Sequence, residues 1–115
     1  MASHLLPHIT VQELAIRLQE PTSPLQLIDV REPQEVAIAA LTPCIHFPLS
    51  EFAKWAPTLS QMLDPQVETI VFCHHGVRSA QMCHWLSDQG FVDVKNVTGG
   101  IDAYAIDVDP ALARY

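Results

Sequence analysis

Glu68-Thr69-Ile70-Val71-Phe72-Cys73-His74-His75-Gly76-Val77-Arg78-Ser79-Ala80 decides how the rest of the chain is read. Thr69 to Phe72 is a short apolar run of β-branched and aromatic residues, the composition of an interior parallel strand covered on both faces. The period changes directly after it. From Ser79 the apolar positions Ala80, Met82, Cys83 and Leu86 fall at helical spacing. They predict a helix from near Ser79 to Gly90, where glycine supplies a C-terminal stop. Cys73 therefore stands at the carboxyl end of a strand and faces the amino end of a helix, where backbone N–H groups converge and the helix dipole is positive.

That position favours thiolate over thiol. Cysteines so placed ionise with pKa values of roughly 3.5 to 7.5 rather than about 8.5, which predicts a nucleophilic sulfur. Gly76 can take a positive φ and lets the backbone wrap closely around a bound group. Arg78 brings a fixed cation with a planar fork of donors, suited to an oxyanion or to a carboxylate that braces the loop. Ser79 reads as a helix cap. His74 and His75 read as loop residues that shape the entrance and bias it weakly positive.

Cys73-His74-His75-Gly76-Val77-Arg78-Ser79, with Leu27-Ile28-Asp29-Val30-Arg31-Glu32 upstream and Val97-Thr98-Gly99-Gly100-Ile101 downstream, resembles a single-domain rhodanese over nearly the whole chain. The resemblance implies an α/β fold with a mainly parallel central sheet and helices on both faces. It also implies that Cys73 is catalytic and carries sulfur as a persulfide, that His74, His75, Gly76, Val77, Arg78 and Ser79 bind the substrate, and that Asp29 and Arg31 are supporting residues. Arg31 is expected to pair with Glu35, four residues on.

The implied activity is that of a sulfurtransferase, moving sulfane sulfur from thiosulfate or a persulfide donor to a thiol or cyanide. Two alternatives stand beside it: a low-turnover sulfur-carrier or partner-binding module, and a thiol redox sensor in which Cys83 or a small thiol resolves an oxidised Cys73. The expected partners are a small-molecule donor and acceptor, or a protein acceptor, with no cofactor. Cysteine-based phosphatases and arsenate reductases use a related loop with five residues between cysteine and arginine, whereas Cys73 and Arg78 enclose four. The shorter ring suits a sulfur atom better than a tetrahedral phosphate or arsenate.

Two departures from the family pattern stand out. Leu41-Thr42-Pro43-Cys44-Ile45-His46 occupies the place of a His-Ile-Pro-Gly-Ala type sequence, and Tyr104 the place of a tryptophan. Cys44 reads as a small buried hydrophobe. His74, His75, His84, Cys73 and Cys83 invite a zinc reading, but zinc sites usually draw closely spaced ligand pairs from two knuckles. Here the ligands would come from one tight loop and one helix, so no metal is expected.

At 115 residues the expectation is one domain over 1–115. The net charge of −7, with six Lys and Arg scattered among thirteen Asp and Glu, argues against nucleic acid and anionic membrane as partners. It also opposes entry of an anionic donor, which would depend on Arg78, the loop amides and protonated His74 or His75. Met1 to Thr10 lacks the pattern of a secretory signal, and three irregularly spaced cysteines fit a reducing compartment, so a cytoplasmic location is expected.

Elsewhere the pattern alternates. His8-Ile9 suggests an edge strand, Thr10 with Glu13 a capping box, Pro21 to Pro24 a turn, and Leu25 to Val30 a strand beside Ile70. Pro33 starts a short helix through Ile38. Ile45 to Pro48 reads as a strand end. Ser50 is expected to cap a helix through Phe52, Trp55 and Leu59 that Pro57 breaks. Phe91 to Val97 supplies another strand, and a last helix lies around Ile101 to Ala105.

Overall fold

Five strands, β1 (His8–Ile9), β2 (Leu25–Asp29), β3 (Ile45–His46), β4 (Glu68–Phe72) and β5 (Val94–Val97), form one sheet in the order β1-β5-β4-β2-β3. Every pairing is parallel. This is a computed structural model, and it describes residues 6–20 and 23–115. The expected turn over Pro21 to Pro24 and the reading of Met1 to Thr10 fall partly outside those residues.

Parallel neighbours need crossovers, and the helices supply them. They are α1 (Val11–Gln19), α2 (Pro33–Ile38), α3 (Phe52–Trp55), α4 (Leu59–Met62), α5 (Val77–Asp88) and α6 (Gly100–Asp107). Strand side chains alternate between faces. Ile28, Val71 and Val94 therefore turn to one side, where they meet Trp55, Leu59, Met82, Cys83 and Leu86 from α3, α4 and α5. Leu27, Ile70, Phe72 and Val97 turn to the other, against Val11 and Leu14 of α1 and Ile101 of α6. The central strand β4 is hydrophobic on both faces because both are covered.

Local sequence sets the helix ends. Thr10 and Glu13 form the reciprocal capping box of α1, and on α2, behind Pro33, the Glu35 carboxylate accepts from the Glu32 N–H at 3.0 Å. Pro57 does break its helix: 3-10 turns at Leu49–Glu51 and Ala56–Thr58 flank α3 and leave α4 as a separate turn. Ser50 is not a cap as expected. It lies inside the first of those turns, and its hydroxyl and amide both reach Glu32. The altered segment before β3 leaves the strand in place, with Ile45 opposite Ile28. Cys44 is half-buried rather than buried, and desolvation raises its thiol pKa.

This topology brings the carboxyl end of β4 to the middle of the sheet edge, between the ends of β2 and β5. That is where open α/β sheets gather their functional groups.

Candidate active site

Cys73 follows β4 directly, and strand alternation points its side chain to the α5 face with Val71. The residue is almost closed off, at 1% exposure, and packs in the same cluster as Val71, Met82 and Cys83. It nevertheless has polar company. The Gly76 N–H donates to Sγ at 3.0 Å, and Ser79 Oγ lies 3.3 Å away. Gly76 adopts φ +108°, and a β-carbon there would meet its neighbours at ordinary distances. Backbone conformation, not crowding, therefore requires the glycine.

The helix begins earlier than its apolar spacing predicts. Gly76 is the N-cap and α5 starts at Val77, so Ser79 is inside the first turn and does not cap it. Its fully buried hydroxyl instead bridges Cys73 and Asn96. Starting at Val77 brings the positive end of a 12-residue helix onto the sulfur loop. Val77 itself is 72% exposed, so its side chain does not line the sulfur.

The outer side of the loop is held by α6. Ile101 N–H donates to the Cys73 carbonyl at 2.9 Å and Asp102 N–H to the His74 carbonyl at 3.1 Å. Those two carbonyls are thereby committed outward. Gly100 permits the approach: with φ +62°, a β-carbon on it would lie 2.5 Å from both carbonyl oxygens.

Arg78 is a brace. Its Nη1 and Nη2 donate to Glu35 Oε1 and Oε2 at 2.6 and 2.9 Å, joining α5 to α2. This paired contact holds the Glu35 carboxyl down at about 2, although partial burial opposes it. Arg31 does not pair with the Glu35 carboxylate as expected. It takes the fully buried Asp29 carboxylate at 2.8 Å and reaches only the Glu35 carbonyl, at 3.3 Å. Tyr115 joins the two pairs, its hydroxyl donating to Glu35 Oε2 at 2.9 Å and accepting from Arg31 Nη1 at 3.0 Å.

The expected positive bias from His74 is also corrected. Its ring is stacked between His75 and Tyr115, each centroid 3.9 Å away, and its Nε2 is buried without a hydrogen-bond partner among the described residues. Burial first, and the neighbouring His75 second, lower its pKa and favour the neutral ring. His75 is exposed and sits 3.6 Å from Asp102. The ligand atoms of His74, His75 and Asp102 lie within 4.8 Å of one another. Asp102 is already paired with Arg114 at 2.9 Å. Of the zinc grouping considered from sequence, His74, His75, His84, Cys73 and Cys83, only His74 and His75 fall in that group among the described residues; Cys83 is buried and its thiol is pushed up to about 12, chiefly by desolvation.

Sequence reading missed Asn96 and Tyr115 and underrated Gly100. Asn96 carried a usable signal. It shares the parity of buried Val94 on β5, so it places a polar amide on a covered face. Tyr115 carried none, because nothing local links it to Arg31, 84 residues away.

Comparison with known proteins fits this architecture. Residues 10–107 match the family described as Rhodanese-like domain. A chloroplastic Rhodanese-like/PpiC domain-containing protein of Arabidopsis thaliana is 47% identical over 109 residues, which is 93% of this chain but only 36% of that protein. YtwF of Bacillus subtilis, named provisionally as a sulfurtransferase, is 35% identical over 79% of this chain and 84% of its own length. The crystal structure of a rhodanese-like domain protein from Staphylococcus aureus superposes with a TM-score of 0.76 at 28% identity, covering 96% of this chain and 99% of that one. With its sulfur loop, parallel sheet and family match in agreement, the chain belongs to the rhodanese-like family.

Proposed function

We propose that the protein is a sulfurtransferase in which Cys73 carries sulfane sulfur between a donor and an acceptor. The observation that supports this most directly is the Gly76 N–H aimed at Cys73 Sγ at 3.0 Å, from a loop whose outer carbonyls are engaged by α6. In the first step the Cys73 thiolate attacks the outer sulfur of thiosulfate. A sulfur–sulfur bond forms to Sγ, the bond to the sulfonate sulfur breaks, and sulfite leaves with the electron pair. In the second, a thiol or cyanide attacks the outer sulfur of the persulfide and the electron pair returns to Sγ. Arg78 acts here as a brace for the loop, since Glu35 already occupies its fork.

A sulfur carrier that serves a protein acceptor is the second reading, supported by the relative that joins a rhodanese-like region to a PpiC domain in one chain. The redox-sensor reading loses its Cys83 route, because Cys83, with its high pKa and full burial, is poorly placed to supply a resolving thiolate. The chemistry needs a reduced thiol, and we place it in the cytoplasm.

Intact-protein mass spectrometry after incubation with thiosulfate tests the proposal. The expected result is a one-sulfur gain that disappears in Cys73→Ala and on adding cyanide. A gain that persists in Cys73→Ala overturns it, and loading without turnover on small acceptors selects the carrier reading.

A further inference from the structure

Thiosulfate and a thiol persulfide deliver the same sulfur with different charge. Thiosulfate is a dianion whose sulfonate has to be held while its outer sulfur is attacked. A thiol persulfide, R–S–SH, needs no such hold. Which donor suits the site therefore depends on which of its cations remain free to meet an anion.

The cations nearest the sulfur loop in the chain of contacts are all matched by carboxylates. Both arms of the Arg78 fork are on Glu35, at 2.6 and 2.9 Å, and the Tyr115 hydroxyl donates to the same carboxylate at 2.9 Å. Arg114, which follows α6, takes Asp102 at 2.9 Å, and Arg31 is enclosed with Asp29. His74 is stacked between two rings, where burial favours its neutral form, and His75 faces Asp102 at 3.6 Å. The whole chain carries a net charge of −7. What stays positive at the site is the amino end of α5 and the Gly76 N–H, and that N–H is given to Cys73 Sγ itself. It serves the reacting sulfur and leaves a sulfonate beside it without a counterion.

We infer that the site takes its sulfur from a thiol persulfide in preference to thiosulfate, which remains a usable but slower donor. The inference rests on the sulfur-transfer reading of Cys73 and selects its donor. The Cys73 thiolate attacks the outer sulfur of R–S–SH. A sulfur–sulfur bond forms to Sγ, the donor's own breaks, and the electron pair leaves on the donor's thiol sulfur, while the proton stays on the transferred sulfur or passes to that thiolate. Sulfur is passed on without net oxidation or reduction. The same attack on thiosulfate brings an anion onto a dianion with no side-chain cation to offset the repulsion.

Timed mass spectrometry of Cys73 loading tests this, with thiosulfate and with the persulfide of N-acetylcysteine amide, whose carrier is uncharged. In wild type the persulfide should load faster, and the thiosulfate rate should rise with sodium chloride as repulsion is screened. Glu35 variants are unsuited here, since releasing Arg78 also removes the brace of the loop. Val77→Lys instead adds a cation at the exposed start of α5, and should raise the thiosulfate rate on the order of tenfold without raising the persulfide rate. If that variant does not fold, Asp102→Asn, which releases Arg114, should act in the same direction. Lys54→Gln removes the one Lys or Arg with no ion pair among the described residues, and should leave both rates unchanged. A thiosulfate rate that equals the persulfide rate, falls with salt, drops in Lys54→Gln or ignores the added cation overturns the inference alone. Loading by neither donor overturns the sulfur-transfer reading itself, and the inference with it.

Discussion

Arg78 and Glu35 meet fork to fork, with Nη1–Oε1 at 2.6 Å and Nη2–Oε2 at 2.9 Å, so a residue of the sulfur loop is tied to the helix that follows β2. The pair is partly open to solvent, at 34% and 16% side-chain exposure, which screens its Coulomb energy. Glu35→Gln is therefore expected to cost only about 1 kcal/mol, within the range of a charge-assisted pair near the surface. The larger effect should be on the loop. Sulfur loading should slow more than stability falls, and a variant with unchanged loading would show that the brace is dispensable.

The same pair sets an acid limit. Glu35 drops from 4.5 to about 2 in the folded protein, chiefly through Arg78. A depressed carboxyl pKa means that the unfolded chain binds the proton first, so this stabilisation is complete above the unfolded value and is lost as pH falls through the folded one. Urea midpoints of wild type and Glu35→Gln should converge between pH about 4.5 and about 2. A gap that stays constant over that window assigns the contribution to something other than ionisation.

Gly100 predicts a sharp contrast with another glycine. Gly100→Ala forces a β-carbon to 2.5 Å from the Cys73 and His74 carbonyl oxygens at a left-handed φ of +62°. The expected loss is about 2–5 kcal/mol, adding roughly 1–2 for the backbone and 1–3 for overpacking. Gly90→Ala, at φ +97° with no atom within 4 Å of the added carbon, should lose only the backbone part. Chemical denaturation compares the two, and equal losses would show that the packing of α6 against the loop is soft.

The sequence made the sheet legible because its evidence was local. The apolar run Thr69 to Phe72, the capping box at Thr10 and the proline at 33 each act within a few residues, and β4, α1 and α2 form where they say. The site was legible only at Cys73 and Gly76, where strand end and helix start lie three residues apart. Partners across long separations were not. Arg78 had two reasonable uses, and only the approach of α2 decided between them. Apolar spacing also placed the start of α5 too late, because the first turn carries exposed Val77 and Arg78 before the buried stripe begins.

Tyr115 should control the His74 ring more than the loop's stability. Its ring lies 3.9 Å from His74 and only 7° from parallel, while its hydroxyl serves Glu35 and Arg31. Tyr115→Phe keeps the stack and should leave the His74 titration unchanged, at a cost of about 1 kcal/mol for the lost hydrogen bonds. Tyr115→Ala removes cover, and because burial is the main reason the His74 pKa is lowered, it should rise toward 6.5. Imidazole NMR titration reads this directly. A value that does not move in Tyr115→Ala would assign the shift to His75 instead.

Arg31 gives the most demanding prediction, because each of its donors has a place. Nε meets both Asp29 oxygens, Nη2 meets Asp29 Oδ2 and the Ala39 carbonyl, and Nη1 meets the Glu35 carbonyl and Tyr115. A lysine keeps the charge but has three donors on one point and no fork. Arg31→Lys should therefore cost about 3–5 kcal/mol, as expected when a buried pair loses its geometry. Apolar replacement of both partners often relieves a buried ion pair, but here it would strand the Ala39 carbonyl. Asp29→Leu with Arg31→Met should thus remain at least about 1–3 kcal/mol below wild type, the cost of a buried acceptor left unpaired. A double variant as stable as wild type in urea would show that Asp29 and Arg31 do nothing for the carbonyls around them.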